Sequence, residues 1–135
     1  MADEDHAHDL ELIRRTIASY CHLCDDGRFD EWAELYTPDA TFSVMGRTHE
    51  GRDTIKAWIA AAQPPEQRGK HVCANPLIDI DPDGAHASAR TDYVFVARTD
   101  EGLAITSAGR YHDTFVKHGG RWLFATRTIV FMGEE

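Results

Sequence analysis

Apolar side chains recur at every third or fourth position early in the chain. Leu10, Ile13, Ile17, Cys21 and Cys24 share one face, with Tyr20 beside it. This spacing predicts an amphipathic helix over about residues 9–26. Gly27 then supplies the permissive backbone that closes a helix. A second helix is predicted over about 28–36, with Phe29, Trp32, Leu35 and Tyr36 inward and Thr37-Pro38-Asp39 as its breaker. Ala40 to Met45 alternates like a strand, with Phe42 and Val44 on one side. A third helix over about 52–62 carries Ile55, Trp58 and Ile59 on its stripe and stops at Gln63-Pro64-Pro65-Glu66. From Lys70 onward the period changes to two. It predicts strands over about 70–80, 86–98, 104–117 and 121–132. Pro82-Asp83-Gly84, Asp100-Glu101-Gly102 and His118-Gly119-Gly120 are the turns between them.

Helices followed by a meander of long strands predict an α+β fold with a mainly antiparallel sheet. Strands of this length twist and curl. Three N-terminal helices on the concave face of such a sheet would make a cone with one open mouth, a natural place for a small pocket. One domain is expected over 1–135, with residues 1–8 as a flexible tail.

Composition adds limits. Hydrophobic residues make up 42% of the 135, enough for a core, and the net charge of −9 disfavours nucleic acid and anionic membranes as partners. No apolar run approaches the roughly 18 residues of a membrane span, and the acidic start does not read as a signal peptide, so a cytoplasmic protein is expected. The three cysteines are an odd count. Cys21 and Cys24 match C-x-x-C but lie late in a helix and lack a second ligand pair, so they read as buried helix cysteines. With no phosphate loop, nucleophile elbow or metal motif, neither a cofactor nor a metal is expected.

Several residues are candidates for chemistry. His71 opens the first long strand, and the two-residue period sends Cys73 and Asn75 to its side. Asp25 follows Cys21 by one turn on the buried stripe, whereas Asp26 faces out. A carboxylate at a helix C-terminus opposes the macrodipole, so Asp25 is not there for the helix. Tyr20 reads either as a hydroxyl donor to a ligand or as a core aromatic. Arg127, among Leu123, Ala125, Ile129 and Phe131, needs a partner: an anion in the pocket, or an acidic residue at a subunit interface. Trp32, Phe42, Trp58, Ile59, Phe95 and Phe131 read as pocket wall or as ordinary core, and Tyr111 joins them by register.

A set of signposts reaches further. They are Tyr20-x4-Asp25, Phe29-Asp30-Glu31-Trp32, Leu35-Tyr36-Thr37-Pro38-Asp39-Ala40, Glu50-Gly51-Arg52-Asp53-x-Ile55, Lys70-His71-x3-Asn75, Ala108-Gly109-Arg110-Tyr111-x-Asp113 and Gly120-Arg121-Trp122. Over about residues 8–132 the chain resembles the SnoaL-like branch of the nuclear transport factor 2-like superfamily. In that branch scytalone dehydratase, bile acid dehydratase and lindane dehydrochlorinase share a His–Asp dyad. The resemblance carries it to His71 and Asp25, the bile acid dehydratase tyrosine to Tyr20, and a late-strand arginine to Arg127. The second pocket histidine of scytalone dehydratase has no counterpart in Asp92-Tyr93-Val94-Phe95-Val96-Ala97. The resemblance implies a cofactor-free lyase or isomerase, dehydratase-like, acting on a hydrophobic cyclic or polyketide/steroid-like small molecule. An imidazole held by a carboxylate would abstract the proton. It also implies a homodimer through the convex sheet face, where Val94, Val96 and Val116 point outward. The rival expectation is a non-catalytic small-molecule-binding or scaffold protein of the same fold.

Overall fold

The computed structural model describes residues 2–134. Helix α1 covers Ala2–Asp25, α2 Phe29–Ala33 and α3 Arg52–Ala62, with a single 3-10 turn at Pro65–Gln67. The strands are β1 (Tyr36–Val44), β2 (Arg47–Glu50), β3 (Lys70–Ile80), β4 (His86–Thr99), β5 (Gly102–His118) and β6 (Arg121–Phe131). They form one sheet in the order β2-β1-β6-β5-β4-β3. Every pairing is antiparallel except β1 with β6. The α+β architecture with helices first is the expected one.

The differences have physical reasons. Helix α1 starts at Ala2, where the periodicity placed its start near residue 9 and a tail before it. Its early turns are anchored through Asp9, which is buried: the Trp122 indole donates to its Oδ1 at 3.0 Å and Lys117 Nζ lies 3.0 Å from the same oxygen. Helix α2 is five residues rather than nine, because Tyr36 already pairs with Phe124 on β6. Strand β1 runs through Pro38, which lies where the pairing with β6 shifts register and outside the span that β2 covers. Strand β2 follows a two-residue turn in which Met45 (φ 51°) and Gly46 (φ 75°) both have positive φ, the geometry of a type I′ hairpin. Met-Gly is not the usual sequence of such a turn, so nothing local announces it.

One face of the sheet carries the core. Ala87, Ala89, Thr91 and Tyr93 of β4 are buried while Ser88 and Arg90 between them are exposed. Ile13, Ile17 and Tyr20 of α1 and Ile55 and Ile59 of α3 close over this face. Helix α1 packs on both β3 and β6, which two strands separate, so the sheet wraps around it. Register shifts at Ala74/Leu77, Phe95/Val96 and Thr114/Phe115 add to the bend.

Candidate functional site

The end of α1 is built with care. Gly27 N–H donates to the Cys24 carbonyl at 3.0 Å and Arg28 N–H to the Leu23 carbonyl at 2.9 Å, with Gly27 at φ 72°. That is a Schellman closure, and it makes Asp25 the last helical residue. The Asp25 carboxylate then takes two bonds from the start of β3. Its Oδ2 accepts the His71 backbone N–H at 2.8 Å, and its Oδ1 lies 2.5 Å from His71 Nδ1. The two side chains are 6% and 9% exposed. One carboxylate therefore fixes the strand's entry and the ring's orientation together. With Nδ1 engaged by the carboxylate, Nε2 is the ring nitrogen that Asp25 leaves unpartnered.

The ring lines a cavity of about 190 Å³ enclosed by Tyr20 of α1, Trp58, Ile59, Ala62 and Gln63 around α3, and Tyr93, Phe95, Ser107, Tyr111, Ile129 and Phe131 of the sheet. Phe95 packs on His71 with ring centroids 4.6 Å apart, and Tyr20 meets it edge-on at 5.9 Å. The wall is mostly apolar. Its polar groups are the imidazole, the Tyr20 and Tyr111 hydroxyls, the mutually bonded Tyr93 and Ser107 hydroxyls at 2.8 Å, and the Gln63 amide oxygen, which is buried without a hydrogen-bond partner. Burial pushes the Tyr20 and Tyr111 hydroxyls well above the ordinary tyrosine range, so each keeps its proton and can donate.

Of the candidate residues, His71, Tyr20, Trp58, Ile59, Phe95, Tyr111 and Phe131 line this cavity. Asp25 touches it through His71. Four others are elsewhere. Trp32 is fully buried between Tyr20 and Tyr36, and Phe42 between Tyr36 and Trp58, so both are core behind the wall. Cys73 faces α1 and meets Cys21. Asn75 is exposed: it has φ 56° at the β3 bulge, which breaks the alternation that was to carry it inward with His71 and Cys73.

Arg127 also departs from expectation. It is fully buried, and its Nε lies 3.1 Å from Oδ1 of Asp113, which is 3% exposed, on the facing position of β5. The pair is inside the fold, neither in the cavity wall nor at a subunit boundary. The guanidinium carbon sits 3.5 Å from the Tyr111 ring centroid, 4.2 Å from Tyr20 and 4.5 Å from Phe124. Burial works against its charge, while Asp113 and the surrounding tyrosines hold it protonated. Burial likewise raises the Asp113 carboxyl to about 6, against the pull of Arg127. The parity of Asp113 with Tyr111 and Phe115 on one strand marks it as inward, and so as the partner that Arg127 needs.

One donor trio among the described residues is compact enough for a metal: Cys24, Asp25 and His71, with ligand atoms within 4.8 Å. It is a poor fit. Asp25 and His71 already bond one another, and burial pushes the Cys24 thiol up to about 12.

Comparisons with known proteins agree on the fold. The profile of the family described as SnoaL-like domain matches residues 5–128. Rv3472, a function-unknown protein from Mycobacterium tuberculosis, superposes with a TM-score of 0.88 at 27% identity, covering 96% of this chain and 75% of that one. An NTF2-like protein with a cystatin-like fold from Novosphingobium aromaticivorans gives 0.88 at 24% identity, with 99% and 88% covered. A protein from the same organism assigned as a scytalone dehydratase gives 0.83 at 23%, with 98% and 89% covered. No curated protein matches the chain.

Proposed function

Because the chain belongs to the SnoaL-like domain family, we propose that it is a cofactor-free lyase or isomerase in which His71 takes a proton from carbon. The observation that carries this reading is the imidazole that lines the cavity while Asp25 occupies its Nδ1 at 2.5 Å. Nε2 is then the base. Asp25 remains the carboxylate that orients the ring and stabilises the imidazolium, without taking the proton itself. The Tyr20 hydroxyl is the donor to the developing enolate or to the leaving oxygen. Arg127 does not touch the substrate. Its charge, 4.2 Å from the Tyr20 ring centroid, makes it a positioning residue that strengthens Tyr20 as a donor.

The wall selects the substrate. A cavity of about 190 Å³ is smaller than the roughly 300–1,000 Å³ of drug-sized sites, which favours a compact cyclic enone or hydroxy-ketone over a steroid. The ring packs on Phe95 and Trp58, and its oxygens face the Tyr20, Tyr93–Ser107 and Gln63 groups. Elimination and isomerisation begin with the same proton transfer, so one assay tests both.

The assay is deuterium uptake at carbon from D2O, followed by NMR over a panel of small cyclic enones and hydroxy-ketones. Wild-type protein should speed exchange of at least one compound. His71→Ala should lower that rate by about 10²–10⁴-fold. Exchange by His71→Ala at the wild-type rate ends the proposal. Binding across the panel with no exchange replaces it with a binding-only role.

A further inference from the structure

The C-x-x-C of α1 takes no role in the chemistry proposed above, and its two thiols do not pair with each other. Cys21 instead donates its S–H to Cys73, 52 residues later, with the sulfurs 3.2 Å apart. All three cysteines are free. A disulfide bond is about 2.05 Å long, so each sulfur has to move by only about half an ångström. The pair is also reachable. Cys21 and Cys73 both line a groove of about 360 Å³ between α1 and β3, with Arg14 and His22 of α1 and His71, Val72 and Pro76 of β3. The β3 bulge at Asn75 lies two residues beyond Cys73. Cys24, one turn further on α1, is fully buried and does not reach this groove.

We propose that Cys21 and Cys73 form a redox site that a small anionic disulfide of the glutathione class converts to an intrachain disulfide. The exposed Arg14 and His22 at the groove suit the carboxylates of such a reagent. The Cys73 thiol loses its proton, and the thiolate attacks one sulfur of the reagent. The reagent's S–S bond breaks, a mixed disulfide forms on Cys73, and the first thiol leaves carrying a proton. Cys21 then attacks the Cys73 sulfur, and the second thiol departs with the Cys21 proton. Two protein thiols are oxidised, one disulfide is reduced to two thiols, and no other oxidant is needed. The order of attack follows the environment: the bond from Cys21 lowers the Cys73 thiol, whereas its counterpart and burial raise Cys21. The bridge would fasten α1 four residues before Asp25 to β3 two residues after His71. The proposal stands on the thiols alone and does not depend on the catalytic reading.

The full chain is incubated with oxidised glutathione, remaining thiols are alkylated, and peptides are mapped by mass spectrometry. The expected product links Cys21 to Cys73 and leaves Cys24 alkylated. Its melting midpoint rises by about 10 °C and returns on treatment with dithiothreitol. Cys21→Ser, with Cys21→Ala as a second variant that keeps the position apolar, should trap one glutathione on Cys73. A Cys21–Cys24 link, glutathione on Cys24, or three alkylated thiols after incubation would overturn the proposal.

Discussion

Two acid–base pairs among the described residues bury both partners, and the molecule treats them in opposite ways. Asp25 and His71 sit at the edge of a cavity, 6% and 9% exposed, joined by two directed bonds from one carboxylate. Asp113 and Arg127 have wholly buried side chains 3.1 Å apart, yet none of their terminal nitrogens or oxygens has a hydrogen bond of good geometry. Aromatic rings enclose the guanidinium in place of donors and acceptors. The first pair leaves a nitrogen free beside open space. The second leaves its polar atoms unsatisfied inside the fold. Burial of charge alone therefore does not mark a reactive site. In the function proposed above, the distinguishing feature is a ring nitrogen facing open space on an imidazole fixed from behind.

The sharpest way to break this contrast is to remove one partner of the deep pair. Asp113→Leu leaves the Arg127 cation uncompensated and should cost about 3–5 kcal/mol in urea unfolding. Asp113→Leu combined with Arg127→Met should recover most of that loss, which would identify the pair as dispensable for stability. A next effect of about 3 kcal/mol lies in pH. The Asp113 carboxyl stands at about 6 folded against 3.8 unfolded. The native state thus keeps a proton that the unfolded chain has lost, and this contribution to stability is full below pH 3.8 and lost as pH rises towards 6. Arg127→Met removes the group that lowers this carboxyl, so the urea-midpoint slope should extend to higher pH.

The rim pair should respond differently. Asp25→Asn keeps the shape but removes the charge from two hydrogen bonds, for a stability loss of about 1–3 kcal/mol. Deuterium exchange should fall far more than stability does. The smallest effect is at the helix end: Gly27→Ala forces a side chain into positive φ and into the Arg68 guanidinium, at about 1–2 kcal/mol. It should loosen Asp25, read as broadening of the His71 ring signals in NMR, and leave the Asp113–Arg127 pair unchanged.

Much of this was legible in the chain because the decisive patterns were local. The stripe from Ile13 to Cys24, its Gly27 closure and the alternation after Lys70 each follow from a short stretch of residues. The pairing of Asp25 with His71 did not; a separation of 46 residues has no local signature, and the resemblance supplied the expectation. Asn75 failed because one positive-φ residue in a bulge resets the period. Trp32 and Phe42 failed because an inward aromatic looks the same whether it walls a cavity or fills the space behind it. Arg127 was recognised as needing a partner, and the parity of Asp113 with Tyr111 and Phe115 held the answer.

The parallel pairing of β1 with β6 has a further consequence for how the chain comes into being. Strand β1 begins at Tyr36, and its partner ends at Phe131. During synthesis the first strand waits, bare along one edge, until β6 has been made. Meanwhile the helix bearing Asp25 and the strand bearing His71 are both available early. A ribosome halted before β6 would release a chain in which β1 and β5 each lack their β6 partner, two open edges ready to recruit another molecule.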